Sequence, residues 1–193
     1  MSAMPVPVAR TLTLLDRVLP EFDFGHRHAL VVDAPAARVA EAAETYRLAT
    51  DGSAVVRLLF RLRGLAPSRA TLRAAAVAMG FTVLAEEPGR EMVLGVAGRF
   101  WALRERANLI RLRDAEAFIG FDRPGQAKAA MSLRFEPLGD GRTCLGTETR
   151  VKCVDAGAYR RFRLYWALIG PASAAIRCDL LRAIRRRAAE DAR

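Results

Sequence analysis

The sequence predicts an α+β fold in which a curved antiparallel β-sheet wraps around one long C-terminal α-helix. Four strand-like segments run from about residue 108 to residue 154, and an amphipathic helix begins near residue 159. The apolar positions of that helix fall on one face at helical spacing: Phe162, Trp166, Ile169, Ile176, Leu180 and Ile184. A sheet that curls around such a helix leaves room between the two, so we expect an apolar cavity there.

Shorter helices are predicted between the first strand and the rest of the sheet. Residues 26–33 are rich in β-formers and predict that first strand. Asp33 and Pro35 give the start signals of a helix that runs to about residue 46. Two more helices are predicted at residues 53–65 and 68–79, and a short one at residues 11–19. The other strands are predicted at residues 81–86, 91–101, 108–113, 117–121, 126–136 and 143–154.

The last two strands alternate between apolar and polar side chains. In residues 126–136 one face carries Ala127, Ala129, Met131, Leu133 and Phe135. The opposite face carries charged and hydroxyl side chains, among them Lys128 and Ser132. This period of two is typical of an antiparallel sheet with one buried face and one face in water.

The composition restricts the class of protein. The chain has 193 residues and a net charge of +10, carried almost wholly by arginine. Because aromatic residues that could stack on bases are not interleaved with the arginines, we expect no specific nucleic-acid partner. The N-terminal residues lack the pattern of a signal peptide, and no apolar run is long enough to span a membrane. These features predict a cytoplasmic protein with a solvated, basic surface.

Few residues suggest metal or covalent chemistry. His26 and His28 are the only histidines and would share one face of a strand, but a third metal ligand is not evident. The sequence contains no Gly-x-Ser-x-Gly elbow and no phosphate-binding loop. We therefore predict that the protein has no metal site and no cofactor, and we assign no residue a catalytic role.

Several segments resemble the START-like helix-grip superfamily, also called SRPBCC, which includes polyketide cyclase-like and lipid-transfer proteins. The matching segments are VVDAP at 31–35, GVAGRFW at 95–101, AKAAMSLRF at 127–135, PLGDGRT at 137–143 and TET at 147–149. The length of the chain predicts one domain over residues 1–193. The resemblance covers about residues 22–189 and implies that this domain is START-like, with residues 1–21 as an N-terminal extension. It also implies a curved sheet that grips the terminal helix around an apolar cavity.

The inward faces of the sheet and the helix predict the residues of this cavity. They are Leu94, Val96, Phe100, Met131, Leu133, Phe135, Phe162, Tyr165, Trp166 and Ile169. A mostly apolar site needs a few polar groups to orient its ligand, and Tyr165 is the best placed by its position on the helix. Arg99 and Lys128 alternate away from the apolar face.

These residues predict a protein that binds a small hydrophobic molecule, such as a lipid, an isoprenoid or a polyketide-like compound, as a monomer or a homodimer. One alternative is a cyclase or aromatase type of enzyme, in which Tyr165 or His28 would act as an acid or base. Another is a protein- or nucleic-acid-interaction module. In that case a basic helix would meet an acidic or nucleic-acid partner. The helix at residues 53–65 could also touch an anionic membrane.

Overall fold

The computed structural model describes residues 12–62, 66, 68–102 and 109–190. Six strands form one sheet, and seven helices precede, connect or follow them in this part of the chain. In chain order the elements are α1 (Leu14–Val18), β1 (Phe24–Val32), α2 (Ala36–Glu44), α3 (Leu48–Asp51), α4 (Ala54–Leu62), α5 (Leu72–Ala78), β2 (Thr82–Glu87), β3 (Glu91–Gly98), β4 (Leu109–Ile110), α6 (Ala115–Ile119), β5 (Ala127–Pro137), β6 (Thr143–Cys153) and α7 (Ala156–Glu190).

The sheet is antiparallel throughout, in the order β1-β6-β5-β3-β2, and β4 pairs with the end of β3. Tight turns join β2 to β3 and β5 to β6. In the second turn Gly139 and Gly141 have φ angles of 84° and 79°, which residues other than glycine adopt only with strain. The curved sheet, the short helices after β1 and the long α7 confirm the predicted α+β architecture.

The strand register shows which side chains lie on the face that α7 covers, here called the concave face. Cross-strand partners share a face. Three neighbouring rows across the sheet are Phe24, Val151, Ala129 and Val96; His26, Thr149, Met131 and Leu94; and His28, Thr147, Leu133 and Met92. A side chain of α7 reaches the middle row directly, because Arg177 Nε donates a hydrogen bond to Thr149 Oγ1 at 2.7 Å.

The opposite, convex face is not in water over its central part, so that prediction was wrong there. Helices α1 and α6 lie against it, and Val93 and Ala130 are buried in a cluster with Leu15, Val18 and Phe118. Polar residues on this face form hydrogen bonds with the elements that cover it. Lys128 Nζ, for example, donates to the carbonyl of Phe118 at 3.1 Å near the end of α6.

Helix α1 is held to the convex face by charged groups from the sheet. Its N-terminus is closed by a capping box between Thr13 and Asp16. Arg150, which is buried, pairs with both Asp16 and Glu148 at 2.7 Å. Partial burial raises the pKa of Asp16, but hydrogen bonds from Thr13 and Arg150 outweigh it and hold this pKa at about 2.

Two predicted strands differ in the structure. Residues 117–121 were predicted as a strand, but α6 occupies most of that segment, because the Asp114 side chain accepts a hydrogen bond from the backbone of Ala117 at 2.9 Å and caps a helix. Of the strand predicted at residues 108–113, only β4 forms. Residue 108, the end of the helix predicted at 53–65 and residues 1–11 lie outside the described residues.

Part of the apolar surface of α4 is exposed. Val55 and Leu58 are 65% and 54% exposed, whereas Val56 is 2% exposed. The helix is fixed at its start, where the backbone N–H of Ser53 donates to Asp179 of α7 at 2.9 Å. In the part of the chain that the structure describes, no helix combines the length and apolar character needed to cross a membrane.

Candidate functional site between the C-terminal helix and the sheet

Helix α7 is well buried near its two ends and less so in between. Ala158 and Phe162 are buried near the start, and Leu181 and Ile184 near the end. In the middle of the helix, Trp166, Ile169, Ser173, Ile176 and Arg177 remain partly exposed, although they lie on or beside the face that meets the sheet.

An apolar cluster of aromatic rings closes the space at the start of α7. The ring of Phe162 lies 5.6 Å from those of Phe100, Trp101 and Trp166, and 5.1 Å from that of Phe24. Such edge-to-face and tilted pairs are favourable beyond the apolar area that they bury. This end of the space is therefore packed.

A second apolar cluster closes the space towards the end of α7. Leu133, Phe135 and Leu145 from the sheet join Leu181 and Ile184 from the helix, with α2 packed beside them. The two clusters belong to separate parts of the core. Between them lies the row that contains His26, Thr149, Met131 and Leu94.

Met131 shows that side chains do not completely fill this middle region. It lies on β5, which has β6 on one side and β3 on the other, and its side chain points to the concave face. Its row neighbour Leu94 and its strand neighbour Leu133 are buried, yet Met131 itself is partly exposed. An inward side chain of a central strand stays accessible only where the layer above it leaves an opening.

Arg177 contributes a cation to the same region. Its Nε donates to Thr149 Oγ1 at 2.7 Å, and its Nη1 donates to the carbonyl oxygen of Ser173 at 3.0 Å and to the hydroxyl of the same residue. Burial lowers the pKa of Arg177 from 12.5 to about 10. The group remains protonated at neutral pH, so a positive charge lies over the middle of the sheet.

The two histidines also face this region. The ring of His26 is stacked on that of Trp166 at 4.9 Å, and a methyl group at Gly170 would lie 3.4 Å from His26 Nε2, so α7 runs close to β1 here. His28 Nδ1 lies 3.5 Å from Cys178 Sγ, and His28 Nε2 is buried with no hydrogen-bond partner among the described residues. Burial and the positive charges of His26 and Arg177 lower the pKa of His28.

Five of the ten predicted site residues lie on the concave face of β3 and β5, four lie on α7, and Phe100 lies in the turn after β3. Leu94, Val96, Leu133, Phe135 and Phe162 are buried. Phe100, Met131, Tyr165, Trp166 and Ile169 are partly exposed. Several of them belong to the closing clusters, and Leu94, Met131 and Ile169 lie outside these clusters. That any of these residues contacts a ligand stays a prediction.

Sequence reasoning missed the polar part of the site. Arg177, Ser173 and Thr149 come together there, whereas the exposed Arg99 donates to the carbonyl of Gly125 at 3.3 Å outside it. One signal was present: residue 177 follows Ile176 and lies three positions before Leu180, so a charge stands beside the apolar stripe. Within the described residues, no cluster of three or more His, Cys, Asp or Glu side chains is arranged to hold a metal ion.

No protein-family model matches this chain, and no curated protein matches it in sequence. Solved structures of similar shape include a conserved protein from Geobacillus kaustophilus, with 12% identity, a TM-score of 0.42, and coverage of 86% of this chain and 96% of that one. The Zhui aromatase/cyclase from Streptomyces sp. R1128 has 16% identity, a TM-score of 0.39, and coverage of 88% and 96%. Norcoclaurine synthase from Thalictrum flavum has 9% identity, a TM-score of 0.33, and coverage of 96% and 97%. The chain's own sheet order, with α7 lying across the concave face, gives it a helix-grip fold.

Proposed function

We propose that this protein binds a small, predominantly apolar molecule between α7 and the concave face of the sheet. The observation that carries the proposal is the accessible side chain of Met131 on a central strand, between the buried Leu94 and Leu133. Protein interiors are normally filled to the density of organic crystals, so a gap at this position is unusual for a core that serves stability alone.

The chemical character of the walls favours an apolar ligand with few polar atoms. Leu94 and Leu133 place hydrocarbon around Met131 on the concave face, and the polar groups converge at one side, around Thr149. Small-molecule sites commonly combine apolar walls with a few polar groups that fix orientation. A lipid, an isoprenoid or a polyketide-like compound fits this description.

The proposal can be tested with the neutral fluorescent probe N-phenyl-1-naphthylamine. We expect the wild-type protein to take up the probe, and Met131→Trp to abolish the uptake because the indole fills the opening. Met131→Leu, which keeps nearly the same volume, is the matched control and should retain uptake. Unchanged uptake by a folded Met131→Trp variant would refute the proposal.

A second candidate function is a cyclase-type reaction on such a ligand. His28 favours it, because its lowered pKa keeps the imidazole neutral and able to accept a proton beside a fixed cation. Native mass spectrometry of the purified protein separates the two functions once a co-purified molecule has been identified. If the protein only binds, a supplied precursor keeps its mass after incubation. If it catalyses cyclisation with dehydration, the mass of the precursor falls by that of one water molecule. His28→Gln should abolish that loss if the reaction occurs.

A further inference from the structure

We propose that Arg177 binds a carboxylate on the ligand, so that the protein selects apolar molecules that end in a single carboxylic acid. This inference rests on the proposed binding function and adds the class of ligand. The feature that carries it is a guanidinium group held over the concave face with part of its hydrogen-bonding capacity unused.

The guanidinium of Arg177 is fixed by two residues of its surroundings. Thr149 accepts from Nε, and the carbonyl and hydroxyl oxygens of Ser173 accept from Nη1. Among the described residues, none accepts a hydrogen bond from Nη2. An arginine carries five N–H donors in a rigid plane, so the Nη2 donors have a fixed direction and remain available.

Arg177 also lacks a carboxylate partner within the described residues. Two other arginines that are buried or partly buried do have such partners: Arg150 pairs with Asp16 and Glu148, and Arg187 pairs with Asp51 at 3.2 Å. A charge that is largely removed from water is costly unless an opposite charge accompanies it. A ligand carboxylate would supply the missing negative charge, as Asp16 and Glu148 supply it to Arg150.

The position of Arg177 fits a head group at one end of an apolar ligand. Its partner Thr149 is the direct cross-strand neighbour of Met131, which in turn neighbours Leu94. A hydrocarbon chain lying over Met131 and Leu94 would therefore bring its terminal group to Arg177. His28 Nε2, the orphaned polar atom in the next row, is a second potential hydrogen-bonding group on that side.

The first experiment compares octanoate, octanol and methyl octanoate by isothermal titration calorimetry on the wild-type protein. These probes share a chain of the same length and differ in the terminal group. We expect octanoate to bind about 10- to 100-fold more tightly than the two neutral probes, the range of a hydrogen bond to a charged group. Equal affinities would overturn the assignment of Arg177.

The second experiment locates the preference. Arg177→Met should keep the affinity for octanol and lose the preference for octanoate, whereas Arg182→Met, at an exposed position of the same helix, should keep both. If Arg177→Met does not fold, Thr149→Val serves instead, because it removes the acceptor that orients the guanidinium and should weaken the preference. A preference that survives in the folded variant, or that Arg182→Met removes equally, would overturn the proposal.

The two proposals fail differently. Uptake of the neutral naphthylamine probe without a preference for octanoate would leave the binding function standing and remove the carboxylate. If the wild-type protein takes up neither that probe nor octanoate, both are wrong. A preference for octanoate that is lost in Arg177→Met supports both.

Discussion

The carboxylate of Glu91 on β3 accepts a hydrogen bond of 2.8 Å from the backbone N–H of Leu14, the first residue of α1. Its other oxygen lies 3.4 Å from the N–H of Leu15. Glu91 is buried, and its charge meets the positive end of a short helix that is remote in sequence. The contact ties the segment before β1 to the start of β3.

We predict that Glu91→Ala lowers the free energy of unfolding by about 1 to 3 kcal/mol, because buried backbone donors lose a charged acceptor. Urea denaturation measures this change. Glu87→Ala is the control, since Glu87 is exposed and pairs with the exposed Arg90, and it should stay within about 0.5 kcal/mol of wild type. Equal effects of the two substitutions would contradict the prediction.

The stability of the protein should depend on the protonation of His28. Burial and the charges of His26 and Arg177 lower the pKa of His28 in the folded state, whereas the unfolded chain keeps its ordinary value of 6.5. Below that value the unfolded state binds more protons than the folded state, so stability falls as the pH drops. We expect the melting temperature to decline between pH 7 and pH 5, and His28→Gln to make the decline shallower. Parallel curves for wild type and variant would show that His28 plays no part.

Gly95 lies on the convex face of β3 beneath Leu84 and Phe118. A methyl group at this position would come within 2.3 Å of Leu84 Cδ1 and 2.9 Å of Phe118 Cε2. We predict that Gly95→Ala lowers the free energy of unfolding by about 1 to 3 kcal/mol through overpacking. Gly146→Ala on β6 is the control, because its nearest contact would be an ordinary 3.7 Å. Similar denaturation midpoints for the two variants would contradict the packing argument.

The basic end of α7 should stabilise the helix without binding a specific partner. Arg185 and Arg186 are exposed in its final turns, where positive charge complements the helix dipole by about 0.3 to 1 kcal/mol per charge at low salt. We predict that Arg185→Glu with Arg186→Glu lowers the melting temperature modestly and leaves ligand uptake intact. Arg160→Glu with Arg161→Glu, at the opposite end of the same helix, should not lower it.

The same double substitution tests the alternative of a nucleic-acid-interaction module. We expect the wild-type protein to bind DNA only weakly, without sequence preference and with strong dependence on salt. Gel-shift or anisotropy measurements at physiological salt test this expectation. Tight binding that disappears when Arg185 and Arg186 are replaced would favour the interaction module instead of the binding site.

Local periodicity explains which elements could be predicted. Strands β5 and β6 alternate cleanly, and α7 repeats apolar residues at helical spacing, so their type and inward faces follow from neighbouring residues. Helix α6 could not be identified in this way, since Phe118 and Ile119 also suit a strand and the cap from Asp114 decided the outcome. The cover of the convex face depends on contacts between distant residues, such as Glu91 with Leu14.

In the candidate site too, the apolar residues could be predicted from local periodicity and the polar residues could not. Most of its apolar residues were inferred from the faces of regular strands and of α7, and contact of any of them with a ligand stays a prediction. The sequence did not point to Arg177, because a charged residue on a helix is normally expected to lie on the solvent-exposed face. The guanidinium of Arg177 is held over the sheet by its hydrogen bond to the Thr149 hydroxyl, and this contact exists only once the sheet has formed beneath α7.

The layer formed by α1 and α6 has a consequence for the mutational tolerance of β5. Ala129 and Leu133 meet α7 or its neighbouring core on one face, while Ala130 and Ser132 are buried on the other. In a strand with one face in water, every second position tolerates substitution. A strand with both faces buried lacks this alternation. A saturation-mutagenesis scan scored by protein abundance should therefore show intolerance on both faces, at Ala129, Ala130, Ser132 and Leu133, with tolerance at the partly exposed Met131 and near Glu136 at the exposed end of the strand.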